Sequence, residues 1–419
     1  MKNTHPLRVC IDACAPDGPA SGERAIIAGL AAGFSQLTDG DEEYLFLALK
    51  SSHEWLKPHV SGHCRILPLK NSASRGRYIL KQLPGLCQLW QLLKPLVVSD
   101  ELQMPMSDGT IEAAGVDVMH FVQTTGFQTS VASMYQIHDL QHLHHPEYFS
   151  PKVLKERDFW YRTLCDLAKV VTVPSKWGKS DLVARLGVPE EKITVVPWAP
   201  VLDGDLTPSP IDLAVLRQKY ALPPAFGFYP AHTWPHKNHL CLFEAIAIAR
   251  DRYGCVIPIV CSGGRDNFVL TINKRVQELN LENQVKYVGF VSSLELKSLY
   301  RLSRFVVFPT LFEGWGLPLL EAFLTKTAMA CSDISPLKEQ ASDAASKFDP
   351  HDPSELADVL HTLWTNEQLR TQLIERGTER VKLFTWGHTA RILRAQYRAV
   401  AQRQLSTEDV ALLAEPPLV

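Results

Sequence analysis

The stretch RFVVFPTLFEGWGLPLLEAFLT, residues 304–325, decides the fold that we predict for this chain. Its apolar run 305–308 is typical of a buried strand in a parallel sheet, and Pro309 ends that run. A loop with Glu313 follows, and Pro318 then opens an apolar helix, since proline at a first helical position loses no hydrogen bond. The stretch therefore predicts a strand, a glycine-containing loop and a helix, with a second carboxylate, Glu321, near the first helical turn.

This strand–loop–helix unit is also a candidate site. A helix start exposes free backbone N–H groups that bind phosphate, and carboxylates beside it accept hydrogen bonds from hydroxyls. On this interpretation Glu313 and Glu321 bind a ligand that carries both hydroxyl and phosphate groups. The alternative interpretation is an acidic helix start that complements the helix dipole.

Strand and helix patterns alternate along the chain, which predicts an α/β protein with parallel sheets and right-handed crossovers. The proline-rich run 195–210 is typical of a linker, so we predict two doubly wound, Rossmann-like domains, 1–200 and 201–385, facing a central cleft. A helix at 386–405 is expected to pack back toward the first domain, and the last dozen residues are expected to fray. Strands are predicted at 7–13, 44–49, 64–69, 116–121, 133–137, 170–173 and 193–196, then at 226–230, 256–260, 285–288, 305–308, 328–331 and 346–348.

Composition and charge exclude several classes of protein. The 419 residues are 46% hydrophobic and 21% charged, with a formal net charge of -2, which favours neither disorder nor nucleic-acid binding. No long uncharged apolar run is present and no signal sequence opens the chain, so we expect a cytoplasmic protein without a transmembrane helix. The nine cysteines form no CxxC pair, which favours reduced, buried thiols.

One segment, residues 50–98, is strongly basic. It holds eight lysines and arginines against one acidic residue, Glu54, together with apolar residues and the aromatic side chains of Tyr78 and Trp90. Such a composition suits contact with anionic lipid, so peripheral contact with a membrane is one expectation. The alternative is a helix pair that packs on the first sheet and turns a basic face to solvent.

The motif EGWGLPLLE, residues 313–321, resembles the signature of the retaining glycosyltransferases of family 4, glycosyl transferases group 1, and is mannosyltransferase-like. Other segments agree in order and spacing, and the resemblance covers roughly residues 130 to 400 well and the earlier residues weakly. It implies the GT-B fold, with an acceptor-binding first domain and a nucleotide-sugar-binding second domain. The other segments are IHDLQHLHHPEYFS (137–150), TVPSKWGKSDLVARLGVPEEKITVVP (172–197), YPAHTWPHKNH (229–239), VKYVGFVSSLELKSLYRLSRFVVFPT (285–310) and SDISPLKEQASDAASKFDPHDPSELA (332–357).

The resemblance also assigns roles within the motif. It implies that Glu321 holds the ribose, because a carboxylate accepts hydrogen bonds from two vicinal hydroxyls. It implies that Glu313 holds the hydroxyls of the donor sugar and faces the positive charge that develops on it. The backbone around Gly314, Gly316 and Leu317 would then lie beside the sugar and the phosphate.

Lys237, in WPHKN, resembles the lysine that neutralises the diphosphate leaving group, where a fixed cation stabilises the transition state. Relatives often carry arginine five positions before this lysine or immediately before it, whereas this chain has His232 and His236. Histidine is only partly charged near neutral pH, so the cationic clamp is either weaker or uses Arg265 from CSGGRDN. The glycine pair before Arg265 is equally typical of a tight turn.

His138, directly after a predicted strand, resembles the histidine that relatives place over the donor sugar, although a lone histidine there is often structural. Gly18 and Gly22 lie where relatives have a glycine-rich turn near phosphate and acceptor, and an ordinary turn is the alternative. Two Asp-Gly-Asp triplets, 39–41 and 203–205, are interpreted as solvated loops, so neither a metal site nor another cofactor is expected.

These resemblances imply a retaining, metal-independent hexosyltransferase. Its donor would be a nucleotide diphosphate sugar, with GDP-mannose favoured, and its acceptor a glycan or lipid-linked glycan in bacterial surface polysaccharide or lipopolysaccharide assembly at the inner leaflet. Two alternatives stay open: a two-lobed protein that binds a sugar or nucleotide without chemistry, and an NAD-dependent oxidoreductase. The second alternative lacks the G-x-G-x-x-G motif after an early strand.

Overall fold

The computed structural model describes residues 5–15, 22–49, 53–69, 102–201 and 207–414, which form two α/β domains, each built on a parallel sheet. The first sheet comprises β1 Arg8–Asp12, β2 Glu43–Ala48, β3 Cys64–Pro68, β4 Val118–Phe121, β5 Ala132–Gln136, β6 Val170–Val173 and β7 Ile193–Val195. The second sheet comprises β8 Gly227–Pro230, β9 Ile259–Ser262, β10 Val285–Gly289, β11 Phe305–Phe308, β12 Met329–Ser332 and β13 Ser346–Phe348. The strand orders are β3-β2-β1-β4-β5-β6-β7 and β10-β9-β8-β11-β12-β13. The α/β prediction with two parallel sheets is confirmed.

Helices connect these strands and cover both sheets. In the first domain they are α1 Gly22–Ser35, α2 His53–Leu56, α3 Thr110–Ala113, α4 Gln141–His144, α5 Pro151–Leu167 and α6 Lys176–Leu186. They continue with α7 Pro210–Lys219, α8 His239–Tyr253, α9 Val269–Glu278, α10 Ser293–Leu302, α11 Leu317–Leu324, α12 Ser335–Ala341, α13 Pro353–Thr365 and α14 Glu367–Val381. The last two are α15 Trp386–Val400 and α16 Thr407–Ala414. None of the helices within the described ranges is long and apolar enough to cross a membrane.

Burial explains why the central strands are apolar throughout rather than alternating. All four residues of β11, the strand FVVF, are buried, because helices cover both faces of a parallel sheet. The strand order reverses between β1 and β4 in the first sheet and between β8 and β11 in the second. Loops at the carboxyl ends of strands diverge at such a switch point and leave a crevice. The residues after β5, β8 and β11 lie at these carboxyl ends.

The chain returns to the first domain at its end. Helix α15 packs so closely on α1 that a Cβ atom at Gly29 would lie 2.0 Å from Cε2 of Trp386. The hydroxyl of Tyr397 lies 2.7 Å from Nδ1 of buried His120, and the hydroxyl of Thr389 donates to the carbonyl of Pro197 at 2.7 Å. Helix α15 thus shares its buried surface with the first domain.

The expectation that the last dozen residues fray is wrong for those that the structure describes. Residues Thr407–Ala414 form helix α16. Its buried Asp409 accepts a hydrogen bond from Arg398 of α15 at 2.8 Å, and the Ser406 side chain accepts from the Asp409 N–H at 3.1 Å. An interior ion pair and a helix cap therefore hold this end, which composition alone did not reveal.

The eight cysteines in the described part of the chain are free thiols, six of them buried. In the triplet 39–41, Asp39 is largely exposed and accepts a hydrogen bond from Arg394 at 2.8 Å. The triplet 203–205 and most of the basic segment 50–98 lie outside the described residues.

Candidate active site

The loop at residues 309–316, called the carboxylate loop below, connects β11 to α11 and carries Glu313. Gly316 is the residue before the helix, and Pro318 lies in its first turn, as the sequence predicts. Pro309 contributes a carbonyl that accepts from the Asn238 side chain at 2.9 Å. The same amide donates to the carbonyl of Pro350 at 2.8 Å. Asn238 thus fastens the turn after β8 to the start of the carboxylate loop.

Lys237 and Glu313 form a largely buried ion pair at the centre of the site. The ammonium nitrogen lies 2.5 Å from Oε1 of Glu313, and the side chains are only 15% and 12% exposed. The hydroxyl of Thr310 donates to the same oxygen at 2.8 Å, and the ammonium lies 5.4 Å from the ring centroid of Phe308. Burial raises the pKa of Glu313, and the neighbouring Lys237 opposes that rise. The carboxylate loop and the turn after β8 thus place a cation and a carboxylate side by side.

Glu321 lies deeper in the second domain and in the second turn of α11, beyond the first turn near which the sequence placed it. Its side chain accepts a hydrogen bond from the hydroxyl of Tyr300 at 2.8 Å, and the residue is 9% exposed. Burial raises the pKa of Glu321 to about 7. The two carboxylates of the motif are therefore in different surroundings: one beside a fixed cation, the other beside a neutral hydroxyl.

The two histidines near Lys237 do not act as cations in this structure. His236 is buried, and burial together with the Lys237 charge lowers its pKa to about 2. The pKa of His232 is lowered for the same two reasons, and its Nδ1 accepts from the N–H of Gly264 at 2.9 Å. Lys237 is therefore flanked by neutral rings rather than by additional positive charge.

Arg265 is exposed, and its guanidinium lies over the ring of Tyr287 at 5.3 Å from the centroid. The N–H of the preceding Gly264 donates to Nδ1 of His232, and the N–H of Asp266 donates to the Thr233 hydroxyl at 2.8 Å. The loops after β8 and β9 are therefore joined, which brings the backbone at Arg265 next to the histidine-containing turn.

The first domain contributes His138 from the residues that follow β5. Its Nε2 lies 3.1 Å from the carbonyl of Val122, a contact that needs the proton on Nε2 and leaves Nδ1 as an acceptor in the neutral ring. Burial lowers the pKa of His138, which favours that neutral form. The ring packs edge-on against Trp198, with centroids 5.1 Å apart.

Gly314 joins the two halves of the site. A Cβ atom on it would lie 1.8 Å from the backbone oxygen of His138, and the Gly314 carbonyl accepts from the Ser175 hydroxyl at 3.3 Å. Only a residue without a side chain fits between these two domains. The structure therefore places the backbone of His138 against Gly314, the residue that follows Glu313, and pairs Glu313 with Lys237; the sequence singled out these three residues from separate segments.

Not every predicted group is available for a ligand. The N–H of Gly316 donates to Oε1 of buried Gln340 at 2.9 Å, so this donor is already used; Leu317 begins α11. Gly22 begins α1 and is exposed, and a Cβ atom added to it would meet nothing within 4 Å, while Gly18 lies outside the described residues. Within the described ranges no group of three or more His, Cys, Asp or Glu side chains is arranged to hold a metal ion.

Several contributors were missed at the sequence level. Thr310, Tyr300 and Gln340 each donate to or accept from a motif residue through the bonds given above. Thr310 is three residues before Glu313, where a hydroxyl often bonds to a nearby side chain. Tyr300 and Gln340 come from neighbouring helices, and no local pattern in the sequence marks them.

Two family models match the chain. Glycosyl transferases group 1 matches residues 217–380, and Glycosyltransferase Family 4 matches residues 100–199, which together make up more than half of the chain. O-antigen chain mannosyltransferase B of Escherichia coli is 27% identical over 252 residues, covering 59% of this chain and 65% of that protein. O-antigen chain mannosyltransferase RfbU of Salmonella typhimurium is 28% identical over 220 residues, covering 52% and 56%. The matched region thus spans less than two thirds of the length of these curated relatives.

Solved structures show the same architecture. Sucrose-phosphate synthase from Thermosynechococcus elongatus has a TM-score of 0.69 and 19% identity, covering 94% of this chain and 99% of that chain. The Anabaena protein HepE, in complex with UDP and glucose, has a TM-score of 0.68 and 16% identity, covering 94% and 100%. The chain has the GT-B fold and belongs to the family 4, group 1 glycosyltransferases.

Proposed function

We propose that this protein is a retaining glycosyltransferase that moves a hexose from a nucleotide diphosphate sugar to a hydroxyl of a glycan or lipid-linked acceptor. The observation that carries the proposal is the largely buried Lys237–Glu313 pair, held at 2.5 Å where the carboxylate loop meets the backbone of His138 of the first domain. A diphosphate needs a fixed cation, and a sugar needs a fixed acceptor for its hydroxyls. Both groups are present side by side, with side chains that are 15% and 12% exposed.

Donor binding replaces the ion pair in this proposal. Lys237 and Glu313 share one short contact in the ligand-free protein, so the donor must insert its phosphate against the ammonium and its sugar hydroxyls against the carboxylate. Lys237 exchanges a carboxylate for a phosphate, and Glu313 exchanges the ammonium for hydroxyl donors, so neither charge is left without a partner and the desolvation cost of binding is limited. Thr310, still bonded to Glu313, keeps the carboxylate in place during that exchange.

Glu321 holds the ribose in the proposed complex. Its carboxylate accepts from the Tyr300 hydroxyl, and a ribose diol would supply two further donors. Because those donors favour the ionised form, nucleotide binding lowers the raised pKa of Glu321 and releases a proton near neutral pH. We propose that Nδ1 of His138, left as an acceptor by the contact of Nε2 with Val122, accepts from a hydroxyl of the donor sugar.

We further propose that the leaving phosphate takes the proton of the acceptor hydroxyl, and that the acceptor attacks on the face the phosphate leaves. The new bond then has the configuration of the old one. Glu313 is a binding group rather than a nucleophile in this scheme, which the contact of its Oε1 with Thr310, retained when the donor binds, supports. A sugar covalently attached to Glu313, detected by mass spectrometry, would contradict the scheme.

GDP-mannose is the proposed donor, and the relatives named as O-antigen mannosyltransferases support it. We place the reaction in surface polysaccharide or lipopolysaccharide assembly, at the inner leaflet of the cell membrane. Peripheral contact through residues 50–98 would bring the first domain to a lipid-linked acceptor. No metal or other cofactor takes part in the proposed reaction.

The test is a transfer assay on the purified protein with GDP-mannose, and with UDP-glucose and other nucleotide sugars as comparisons. We expect GDP to raise the melting temperature more than UDP, GDP-mannose to release GDP, and transfer to survive a chelator. The anomeric signal of the product by NMR should match that of the donor. Replacing Glu313 by glutamine should abolish transfer while nucleotide binding remains, which a protein that only binds sugars would not show.

A further inference from the structure

A cross-domain helix cap lies behind the carboxylate loop. Helix α6 of the first domain begins at Lys176, and its first two N–H groups point to a side chain of the second domain. The Lys176 N–H donates to Oε2 of Glu339 at 2.9 Å, and the Trp177 N–H donates to Oε1 at 2.8 Å. The third N–H, from Gly178, donates to the hydroxyl oxygen of Ser175 at 3.0 Å. The first turn of α6 is thus capped by one residue from each domain.

Glu339 belongs to a helix that also holds the carboxylate loop. It lies on α12, and the next residue, Gln340, accepts from the Gly316 N–H at 2.9 Å. Arg380 of α14 donates to the carbonyls of Glu339 and Gln340 at 2.7 and 2.9 Å, which fixes the end of α12. One short, anchored helix therefore contacts both α6 of the first domain and the end of the loop that carries Glu313.

The carboxylate loop also contacts the first domain directly. The buried side chain of Phe312 packs against His144, His145 and Trp177, with ring centroids 4.9, 5.7 and 5.4 Å apart. The Ser175 hydroxyl donates to the carbonyl of Gly314 at 3.3 Å. Trp177 and Ser175 therefore take part both in the cap of α6 and in the contacts with the loop.

We propose that Glu339 is a positioning residue: by capping α6 across the domain boundary, it couples closure of the two domains to the placement of Glu313 in the carboxylate loop. This inference rests on the proposed function. When the domains separate, the two α6 N–H groups exchange a carboxylate for water. Helix α12 then loses its hydrogen bonds to the first domain, which among the described residues are the two that Glu339 accepts. A carboxylate at the positive end of a helix makes charge-assisted bonds, so closing restores a favourable contact. Glu339 itself touches no proposed reacting atom.

The experiment compares Glu339→Ala and Glu339→Gln with Glu375→Ala, a control at an exposed position on α14. Hydrogen exchange of the peptide covering 309–317 is measured in the ligand-free protein, followed by GDP affinity, kcat and melting temperature. We expect faster exchange of the loop in Glu339→Ala, and a fall in kcat of about tenfold, since hydrogen bonds to charged groups have this effect when lost. GDP affinity should stay within about threefold, because Lys237 and Glu321 belong to one domain. Glutamine retains one acceptor oxygen and should give an intermediate kcat.

A residue with a purely structural role would lower the melting temperature and change GDP affinity and kcat together. Unchanged loop exchange together with an unchanged kcat in Glu339→Ala would overturn the inference. The hydrogen-exchange measurement on the carboxylate loop does not depend on whether the protein transfers sugar. If the parent protein transfers no sugar, the proposed function fails, and faster loop exchange in Glu339→Ala still supports the coupling between the domains.

Discussion

Replacing Gly314 by alanine should separate the two halves of the site. In the present structure the new Cβ would lie 1.8 Å from the backbone oxygen of His138 and 2.8 Å from Cβ of Asp139, where real Cβ contacts are essentially never under 3.0 Å. The carboxylate loop must therefore move back by roughly 1.2 Å, the difference between the first contact and that limit. The opposing atom is backbone, so no rotamer change relieves the clash.

A displacement of that size is large for a reacting site. Misplacing reacting groups by about 1 Å costs on the order of 100-fold in rate, which is the fall in kcat that we expect for Gly314→Ala. The residue is not in the left-handed region, so alanine suits its backbone, and the second domain should fold and bind GDP as before. Transfer of sugar, measured at saturating donor and acceptor, should therefore fall while GDP affinity is retained.

Gly187→Ala is the matched control. Gly187 ends α6 with φ of 69°, and a Cβ there would meet nothing within 4 Å. Alanine in this left-handed conformation costs about 1–2 kcal/mol of stability, but it introduces no clash between the domains. The control should melt earlier and transfer sugar normally. Gly314→Ala with a kcat within about threefold of the parent would refute the conclusion that transfer requires the closed contact.

Three further perturbations test the rest of the site and fold. Lys237→Met should lower kcat by about 10²–10³-fold, the usual effect of losing one transition-state partner, and a fall below tenfold in single-turnover transfer would contradict its role. The ionisation of Glu321 should lower the free energy of unfolding by about 3 kcal/mol as pH rises from about 4.5 to about 7, because burial raises its pKa to about 7 and the charged form opposes folding. Burial also raises the pKa of Asp12, to about 6, and adds a slope of the same sign, so denaturant titrations of Glu321→Gln should show a slope smaller than that of the parent by the Glu321 contribution; an equal slope would assign the effect to other groups. Tyr397→Phe leaves buried His120 without its partner, so it should cost about 1–3 kcal/mol in thermal unfolding and leave transfer unchanged.

The positions of the main strands and helices along the sequence were largely predictable. Strands β6 and β11 were predicted at their observed bounds, because a short apolar run between turn residues is a local signal. Strand β9 begins three residues later than predicted, at Ile259, because the apolar run starting at Val256 does not show where pairing with β8 begins. Helix α16 was missed because its stability depends on the contact of Asp409 with Arg398 of another helix.

The sequence by itself determined that Glu313, Lys237 and His138 each follow a strand of a parallel sheet, and hence that they lie at the carboxyl ends of the two sheets. It did so because short-range periodicity shows which segments are strands and where the loops that follow them begin. Only the tertiary structure decided what each group contacts: the 2.5 Å pair of Lys237 with Glu313, and the neutral state of His236. It also decided that Glu339 caps a helix that begins 163 residues earlier in the chain. Burial and pairing between distant segments set charge and hydrogen-bond partners, and no local pattern contains that information.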